Sequence, residues 1–232
     1  MGLLCAWLGS LVWGLGCASG GAAERPAAEH EPGVRELFSA ATSIQDAWMH
    51  LPLKGFTEYR LVAVRDEVAI HARGRRSASG LIRPIRLDAA RCPWLEWSWQ
   101  VAELQPDADI RKRDQDDVAA SIFLLFGDPG GLDDPKPVPT LRYVWTSRHT
   151  PQGSIVDSPY LSGIVQSLVV ESGSAKLGHF VTERRNIAAD FEHAFGHPPE
   201  EEASAIVLFT DNDQTEEDVS SYYAWARAIC AD

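Results

Sequence analysis

The sequence lacks the short motifs that mark most common catalytic and nucleotide-binding folds. It contains no Gly-x-Ser-x-Gly, no phosphate-binding Gly-Lys-Ser/Thr loop, no Gly-x-Gly-x-x-Gly and no His-Glu-x-x-His. It has four cysteines and no Cys-x-x-Cys pair, which argues against a thiolate zinc site or thioredoxin-like chemistry. No familiar enzyme class is therefore indicated by motif.

Basic residues are also in the minority. The 232 residues include 21 Lys and Arg against 33 Asp and Glu, so the formal net charge is -12. Such a balance argues against a protein that grips nucleic acid through its phosphates. A hydrophobic content of 45% is too high for a disordered chain. Length and composition together fit one large globular domain or at most two small ones. The protein is expected to be a monomer.

The first 23 residues carry no charge at all. An apolar run over residues 3–15 has the length of a signal-peptide core and is short for a membrane span. Small residues follow it, and Leu15-Gly16-Cys17 resembles the end of a lipoprotein signal. Residues 1–23 are thus predicted to be a signal peptide or a lipoprotein leader. The protein is expected to be exported, either periplasmic or an outer-membrane lipoprotein, with membrane contact only through the leader or a lipid on Cys17.

Two cysteines lie beyond this leader, Cys92 and Cys230. An oxidising compartment would permit them to form one disulfide. Two separate buried thiols are the alternative, and the sequence does not distinguish between them.

The rest of the chain is predicted to be a linker followed by a domain made mainly of strands. Residues 24–47 are predicted to be a linker with a short helix at 34–44, where Leu37, Ala40, Ala41 and Ile44 share one face. Residues 48–232 are predicted to form a single domain. About ten apolar or alternating runs are separated by turn signals, at 56–64, 67–72, 80–87, 95–101, 118–126, 141–145, 167–170, 179–182, 205–210 and 222–229. This pattern predicts a mainly β fold, an antiparallel, jelly-roll-like sandwich of two sheets with one or two short helices.

One helix is marked by local signals at both ends. Asn186 can cap its N-terminus, Ile187 and Phe191 begin an apolar stripe, and Gly196 followed by Pro198 ends it. A helix of about ten residues is too short to be stable alone, so it is expected to pack on a sheet.

Alternation places several aromatic side chains on shared faces of their strands. Trp97 and Trp99 project to one side of their strand, and Tyr143 and Trp145 to one side of theirs. Two interpretations stay open: the rings fill the sandwich core, or Trp99 and Trp145 lie on a concave face where sugar rings stack.

Three polar clusters are candidate sites. Asp116 and Asp117 stand at the entry of a strand, Glu183-Arg184-Arg185 where a strand meets the helix, and residues 210–218 after another strand. The last cluster is rich in oxygen ligands, and Asp211, Asp213 and Asp218 are candidates for Ca²⁺. It is not an EF-hand, since position six is Glu216 instead of Gly. The alternatives are solvated loops for the first cluster and a structural ion network for the second.

An ordered set of small motifs resembles a known family. It comprises Thr57-x-Tyr59, Ser77-Ala78-Ser79-Gly80-Leu81, Pro93-x-Leu95-x-Trp97-x-Trp99, Asp116-Asp117-Val118-Ala119-Ala120, Tyr143-Val144-Trp145, Glu183-Arg184-Arg185-Asn186, Asp190-Phe191, Phe195-Gly196, Thr210-Asp211-Asn212-Asp213 and Tyr222-Tyr223. In this order they resemble the bacterial family called domain of unknown function 3047, over about residues 48–229. The resemblance implies an exported protein and carries over no catalytic residue. The strands around residues 79–81 and 95–99 also resemble sugar-binding jelly rolls, an analogy of fold alone.

Three functions follow as hypotheses. The leading one is an exported, non-catalytic sandwich that binds a carbohydrate or another polar cell-envelope ligand. In it Trp99 and Trp145 would stack, while Asp116, Asp117, Arg184 and Asp211 would bond to hydroxyls. The second is a glycoside hydrolase-like enzyme that uses Asp117 and Glu183 as paired carboxylates. The third is an envelope scaffold or interaction protein. No cofactor other than Ca²⁺ is expected.

Overall fold

A computed structural model describes residues 33–40, 48–131 and 133–231. The predicted leader and Cys17 lie outside these residues, as does the segment 41–47. The elements in chain order are β1 (Val34–Ser39), β2 (Met49–Lys54), β3 (Glu58–Val64), β4 (Glu67–Arg73), β5 (Ala78–Leu87), β6 (Trp94–Glu103), β7 (Ala120–Phe126), β8 (Gly130–Gly131), β9 (Asp134–Pro135), β10 (Thr140–Thr146), β11 (Ile155–Asp157), β12 (Val165–Ser172), β13 (Val181–Asn186), α1 (Ile187–Phe195), β14 (Ala203–Asp211) and β15 (Ser220–Ile229).

The strands form two large sheets and one small hairpin. The six-stranded sheet has the order β13-β6-β15-β4-β3, with β1 also paired to β15. The seven-stranded sheet has the order β11-β12-β10-β7-β14-β5-β2, and β8 pairs with β9. Every pairing is antiparallel except that of β10 with β12, as far as the described residues show. The predicted mainly β sandwich is confirmed, with this parallel pair as an added feature.

The core lies between the two sheets. Trp97 and Trp99 of β6 face Tyr143 and Trp145 of β10, and Trp97 lies 4.9 Å from Tyr143 between ring centroids. All four rings are nearly or fully buried. Period-two alternation therefore predicted which side chains fill the core, because successive side chains of a strand point to opposite faces. Each of the ten predicted runs overlaps a strand of the structure, the run at 179–182 only by its last two residues.

The predicted helix is confirmed with both of its ends. The Asn186 side chain accepts a hydrogen bond from the Ala189 N–H, and Gly196 adopts the left-handed conformation with φ of 82°. Its apolar stripe packs into the core, where the Phe191 ring lies 4.6 Å from that of Phe126. Among the residues that the structure describes, no helix is long and apolar enough to cross a membrane.

The helix expected at 34–44 is wrong over residues 34–40, the part of it that the structure describes. Residues 34–39 form β1, which pairs antiparallel with the last strand, and segment 41–47 lies outside the described residues. Pairing with β15 buries Leu37 and Phe38, and this long-range contact outweighs the local helical spacing. Part of the expected linker thus belongs to the sandwich.

The two cysteines beyond the predicted leader form a disulfide. Cys92, in the turn before β6, is bonded to Cys230, directly after β15. Of the two alternatives left open by the sequence, the structure shows the bridge.

Candidate functional site

A groove lies on the outer face of the seven-stranded sheet, the face turned away from the core. It encloses about 360 Å³ and is called the outer-face groove below. Strands β2, β5, β7, β10, β12 and β14 line it, together with the loops after β11 and β14 and before β7. The lining residues are Leu53, Lys54, Ala78, Asp116, Phe123, Arg142, Ser158, Tyr160, Leu161, Val165, Phe209, Asp211, Asp213 and Gln214.

Two stacked phenyl rings form the apolar part of the floor. The rings of Phe123 and Phe209 lie 5.4 Å apart between centroids. Gly80, on the strand beside Phe209, makes room for its ring, because a Cβ there would lie 2.8 Å from Phe209 Cδ2 and 2.8 Å from the Leu208 carbonyl oxygen. A glycine inside a strand is thus explained by close packing beneath the groove.

A buried ion pair forms the polar part of the floor. Arg142 lies in β10 beside Phe123 of β7, and its Nη2 is 3.0 Å from Asp116 Oδ1. The Arg142 Nε also donates to Ser167 Oγ at 2.8 Å. Both charged side chains are more than nine-tenths buried. Burial raises the pKa of Asp116, and the positive charge of Arg142 opposes that rise.

Three further carboxylates gather at one wall of the groove. Asp117, Asp211 and Asp213 each offer an oxygen, and these oxygens lie within 4.8 Å of one another. Asp117 is held by the Gln214 and Thr215 N–H groups and the Thr215 hydroxyl, all of which donate to it. Asp211 Oδ1 accepts a hydrogen bond from the Val118 N–H at 2.8 Å. Burial, and then the negative charges of Asp117 and Asp116, raise the pKa of Asp211 well above its usual range.

The rim of the groove is exposed and mixed in character. Tyr160 and Leu161 are each close to half exposed, while the Lys54 ammonium lies 3.1 Å from Asp213 Oδ2. A second depression of about 420 Å³ continues past this rim and shares Lys54, Tyr160, Asp213 and Gln214 with the groove. The two depressions together make an elongated surface.

The structure brings together only some of the predicted site residues. Asp116 and Asp211 line the outer-face groove, and Asp117 and Asp213 belong to its carboxylate wall. Asp218, the third predicted calcium ligand, lies elsewhere, in a depression with Arg73, Arg75 and Arg76. The cluster that the structure shows has Asp117 in place of Asp218.

Trp99 and Trp145 are not placed where a sugar could stack on them. They are 0% and 1% exposed, and their rings lie 6.2 Å apart in the core between the sheets. The stacking role predicted for these two rings is therefore wrong, because alternation reports which side chains share a face but not which face is covered. The core alternative is the one observed.

Glu183 and Arg184 lie on the six-stranded sheet, apart from the groove. Glu183 shares the inward face of β13, where burial and the negative charge of Glu171 raise its pKa to about 7. Arg184, on the opposite face, lies 4.8 Å above the Trp94 ring and 3.5 Å from Glu96. Asp117 and Glu183 thus have separate sets of partners, and the predicted catalytic pair does not form one site.

Several residues of the groove were not found from the sequence. The sequence pattern does not predict a site role for Arg142, Phe123, Phe209, Tyr160 or Lys54. A signal existed for Arg142, since it is a charged residue inside an apolar strand whose other face is aromatic. For Tyr160 and Lys54 no local signal exists, because the fold of distant segments brings them to the rim.

The fold and site define a class, a two-sheet β-sandwich with a polar and aromatic groove on the outer face of one sheet. The chain belongs to the family described as "Protein of unknown function (DUF3047)", whose model matches residues 46–226. The family resemblance noted in the sequence is thereby confirmed. No curated protein matches the chain.

Solved structures with a similar arrangement are distant. One is the family 11 carbohydrate-binding module of the cellulosomal cellulase Lic26A-Cel5E of Clostridium thermocellum, with 9% identity, a TM-score of 0.45 and coverage of 86% of this chain and 95% of that chain. A second is the family 11 carbohydrate-binding module from Clostridium thermocellum in complex with a β-1,3-1,4-mixed-linked tetrasaccharide, with 10% identity, a TM-score of 0.42 and coverage of 86% of this chain and 96% of that chain. A third is the endo-1,4-β-glucanase CelB2, with 13% identity, a TM-score of 0.42 and coverage of 82% of this chain and 96% of that chain. At these values no ligand or activity is transferred to this chain.

Proposed function

We propose that this protein binds a carbohydrate or a similar polyhydroxylated ligand in the outer-face groove, without chemistry. The observation that carries the proposal is the floor of the groove, where two phenyl rings lie beside a buried Arg142–Asp116 pair. Small-molecule sites are concave, largely apolar and equipped with a few fixed polar groups. The groove has these properties, and its volume of about 360 Å³ suits one or two sugar units.

Each part of the floor matches one part of a sugar. The C–H faces of a pyranose ring are apolar and pack against aromatic rings such as Phe123 and Phe209. Hydroxyl groups both donate and accept, so they can pair with a carboxylate and a guanidinium side by side. Because Arg142 and Asp116 are fixed by burial and by Ser167, little side-chain entropy is lost when a ligand binds.

The rim favours a ligand longer than one sugar. Tyr160 stands between the groove and the second depression and lines both. An oligosaccharide could therefore run from one depression to the next past the tyrosine ring. Residues on such a rim tune affinity more than they support folding, because they are exposed.

The test is a glycan array followed by calorimetry with the best binder, chosen from envelope saccharides. Tyr160→Ala is expected to weaken binding about fivefold, since stacking on an aromatic ring contributes about 1 kcal/mol. Trp94→Ala is the matched control, because it also removes a partly exposed ring but on the other sheet. Binding by the control should equal that of the unaltered protein.

Two results would contradict the proposal. One is the absence of any saccharide that binds at millimolar concentration. The other is equal loss of affinity in Tyr160→Ala and Trp94→Ala, which would place the ligand outside the outer-face groove.

We also propose that the protein acts after export. The bridge between Cys92 and Cys230 supports this, because disulfides persist in oxidising compartments. The uncharged residues 1–23 supply the leader. Cell fractionation tests it: the protein is expected in the periplasmic or outer-membrane fraction, and a cytosolic protein with free thiols would refute it.

A further inference from the structure

Three buried carboxylates in the wall of the outer-face groove are close enough to share one ligand. Asp117 precedes β7, Asp211 ends β14 and Asp213 lies in the loop that follows. One oxygen of each lies within 4.8 Å of the others. Two oxygens bound on opposite sides of a Ca²⁺ ion are at most about 5.2 Å apart, given its usual oxygen distances. The spacing therefore fits a single calcium ion.

The positive charge around these carboxylates is smaller than their negative charge. Asp117 is 0% exposed and Asp211 5% exposed, and the Asp213 side chain is 8% exposed. Arg142 is engaged by a fourth carboxylate, that of Asp116. Lys54 contacts only the outermost of the three, Asp213, and its side chain is 63% exposed. Buried like charges without compensation are unfavourable.

A second observation points to a ligand at the same place. Asp213 Oδ1 is buried and has no hydrogen-bond partner among the described residues, while Oδ2 bonds to Lys54. The side-chain oxygen of the next residue, Gln214, is also buried without a partner in the described part of the chain. Buried oxygens of this kind are normally satisfied, and an orphaned carboxylate oxygen is suited to a cation.

The donor set decides which cation. All three groups are carboxylates, which are hard oxygen ligands that suit Ca²⁺ or Mg²⁺ and not thiophilic metals. They come from three positions on two loops and a strand end, an irregular arrangement that the flexible coordination of Ca²⁺ accepts more readily than the octahedral Mg²⁺. The N–H groups of Gln214 and Thr215 already fix Asp117 in place.

We propose that Asp117, Asp211 and Asp213 bind a Ca²⁺ ion in the wall of the outer-face groove. The remaining coordination positions are filled by water or by ligand hydroxyl groups. The site needs no saccharide, so it stands or falls separately from the proposed function.

The test is calorimetry and thermal unfolding of the whole protein after chelation, with added Ca²⁺ or Mg²⁺ and without saccharide. A Ca²⁺ concentration a hundredfold above Kd is expected to raise Tm by about 5 °C or more. Asp213→Asn should weaken Ca²⁺ binding at least tenfold. Asp218→Asn is the control, because it removes an exposed acid of the same loop that lies outside the cluster, and it should leave binding unchanged.

A second comparison separates lost binding from lost folding. In chelator, Asp213→Asn is expected to melt at or above the Tm of the unaltered protein, because it removes one of the repelling charges. In Ca²⁺ the order reverses. The proposal is overturned if Ca²⁺ at about 10 mM changes neither the Tm nor the heat of binding measured by calorimetry. It is also overturned if Mg²⁺ binds as tightly as Ca²⁺, or if Asp218→Asn weakens Ca²⁺ binding as much as Asp213→Asn does.

Discussion

At the scale of single residues, Glu183 has a measurable consequence for stability. Its carboxyl lies at the inward face of β13 beside Glu171, with Lys176 and Arg185 as the neighbouring cations. Burial and the charge of Glu171 raise its pKa from 4.5 to about 7. The folded state therefore holds a proton that the unfolded state releases between pH 4.5 and about 7. The free energy of unfolding contributed by this group falls as pH rises through that window.

Glu183→Gln is expected to remove this dependence. The amide imitates the protonated form. The free energy of unfolding of the variant, minus that of the unaltered protein, should therefore be about 1–2 kcal/mol larger at pH 8 than at pH 5, a figure reduced for partial solvent screening. Urea unfolding at the two pH values measures it. The exposed Glu192→Gln is the control. Parallel pH profiles for Glu183→Gln and the unaltered protein would contradict the expectation.

The sequence predicted only some of the residues that form the candidate site. Asp116, Asp117, Asp211 and Asp213 were predicted, because acids clustered at strand ends are visible as a local pattern. Their convergence was not predictable, since it depends on the pairing of β14 with β7, whose paired residues are 77 to 88 positions apart in the chain. Trp99 and Trp145 were misassigned for the same reason: the sequence shows their shared face but not the opposite sheet that buries it.

At the scale of elements, α1 depends on its N-terminal cap. The Asn186 side chain accepts from the Ala189 N–H at 3.0 Å. Asn186→Ala is expected to lower the free energy of unfolding by about 1 kcal/mol, because an N–H of the first turn loses its partner. Chemical denaturation measures the change. Asn186→Asp keeps an acceptor and should retain most of the stability, and a loss as large as that of alanine would argue against the cap.

Elements with local signals were predictable, and elements without them were not. The caps and stripe of α1 lie within ten residues, so the sequence alone located it. The local spacing predicts a helix at β1, because the burial of this strand comes from β15 at the other end of the chain. β2 was missed because it is an edge strand with Pro52 and a register shift, and most of it is exposed, which leaves no alternation to detect.

At the scale of the whole molecule, the disulfide closes most of the domain. Cys92 and Cys230 are 138 residues apart. Restricting a loop of that length in the unfolded chain stabilises the folded state by up to about 5 kcal/mol, from the loop entropy. Removal of a native disulfide commonly costs about 2–5 kcal/mol of stability. The double variant Cys92→Ser and Cys230→Ser is therefore expected to unfold at lower denaturant. Reductant should shift the unaltered protein to the same midpoint and leave the variant unchanged; an effect of reductant on both would point to another cause.

The pairing of the first described strand with the last one has a mechanical consequence. β1 runs antiparallel to β15, with Val34 opposite Ile229, and the Cys230 N–H donates to the Gly33 carbonyl oxygen. The two ends of the sandwich therefore leave it side by side. A force applied between residues 33 and 231 would peel β1 from β15 one hydrogen bond at a time, the weak direction for a sheet. Because Cys230 is covalently tied to Cys92, the peeling would free β1 while the bridge holds the end of β15 in place.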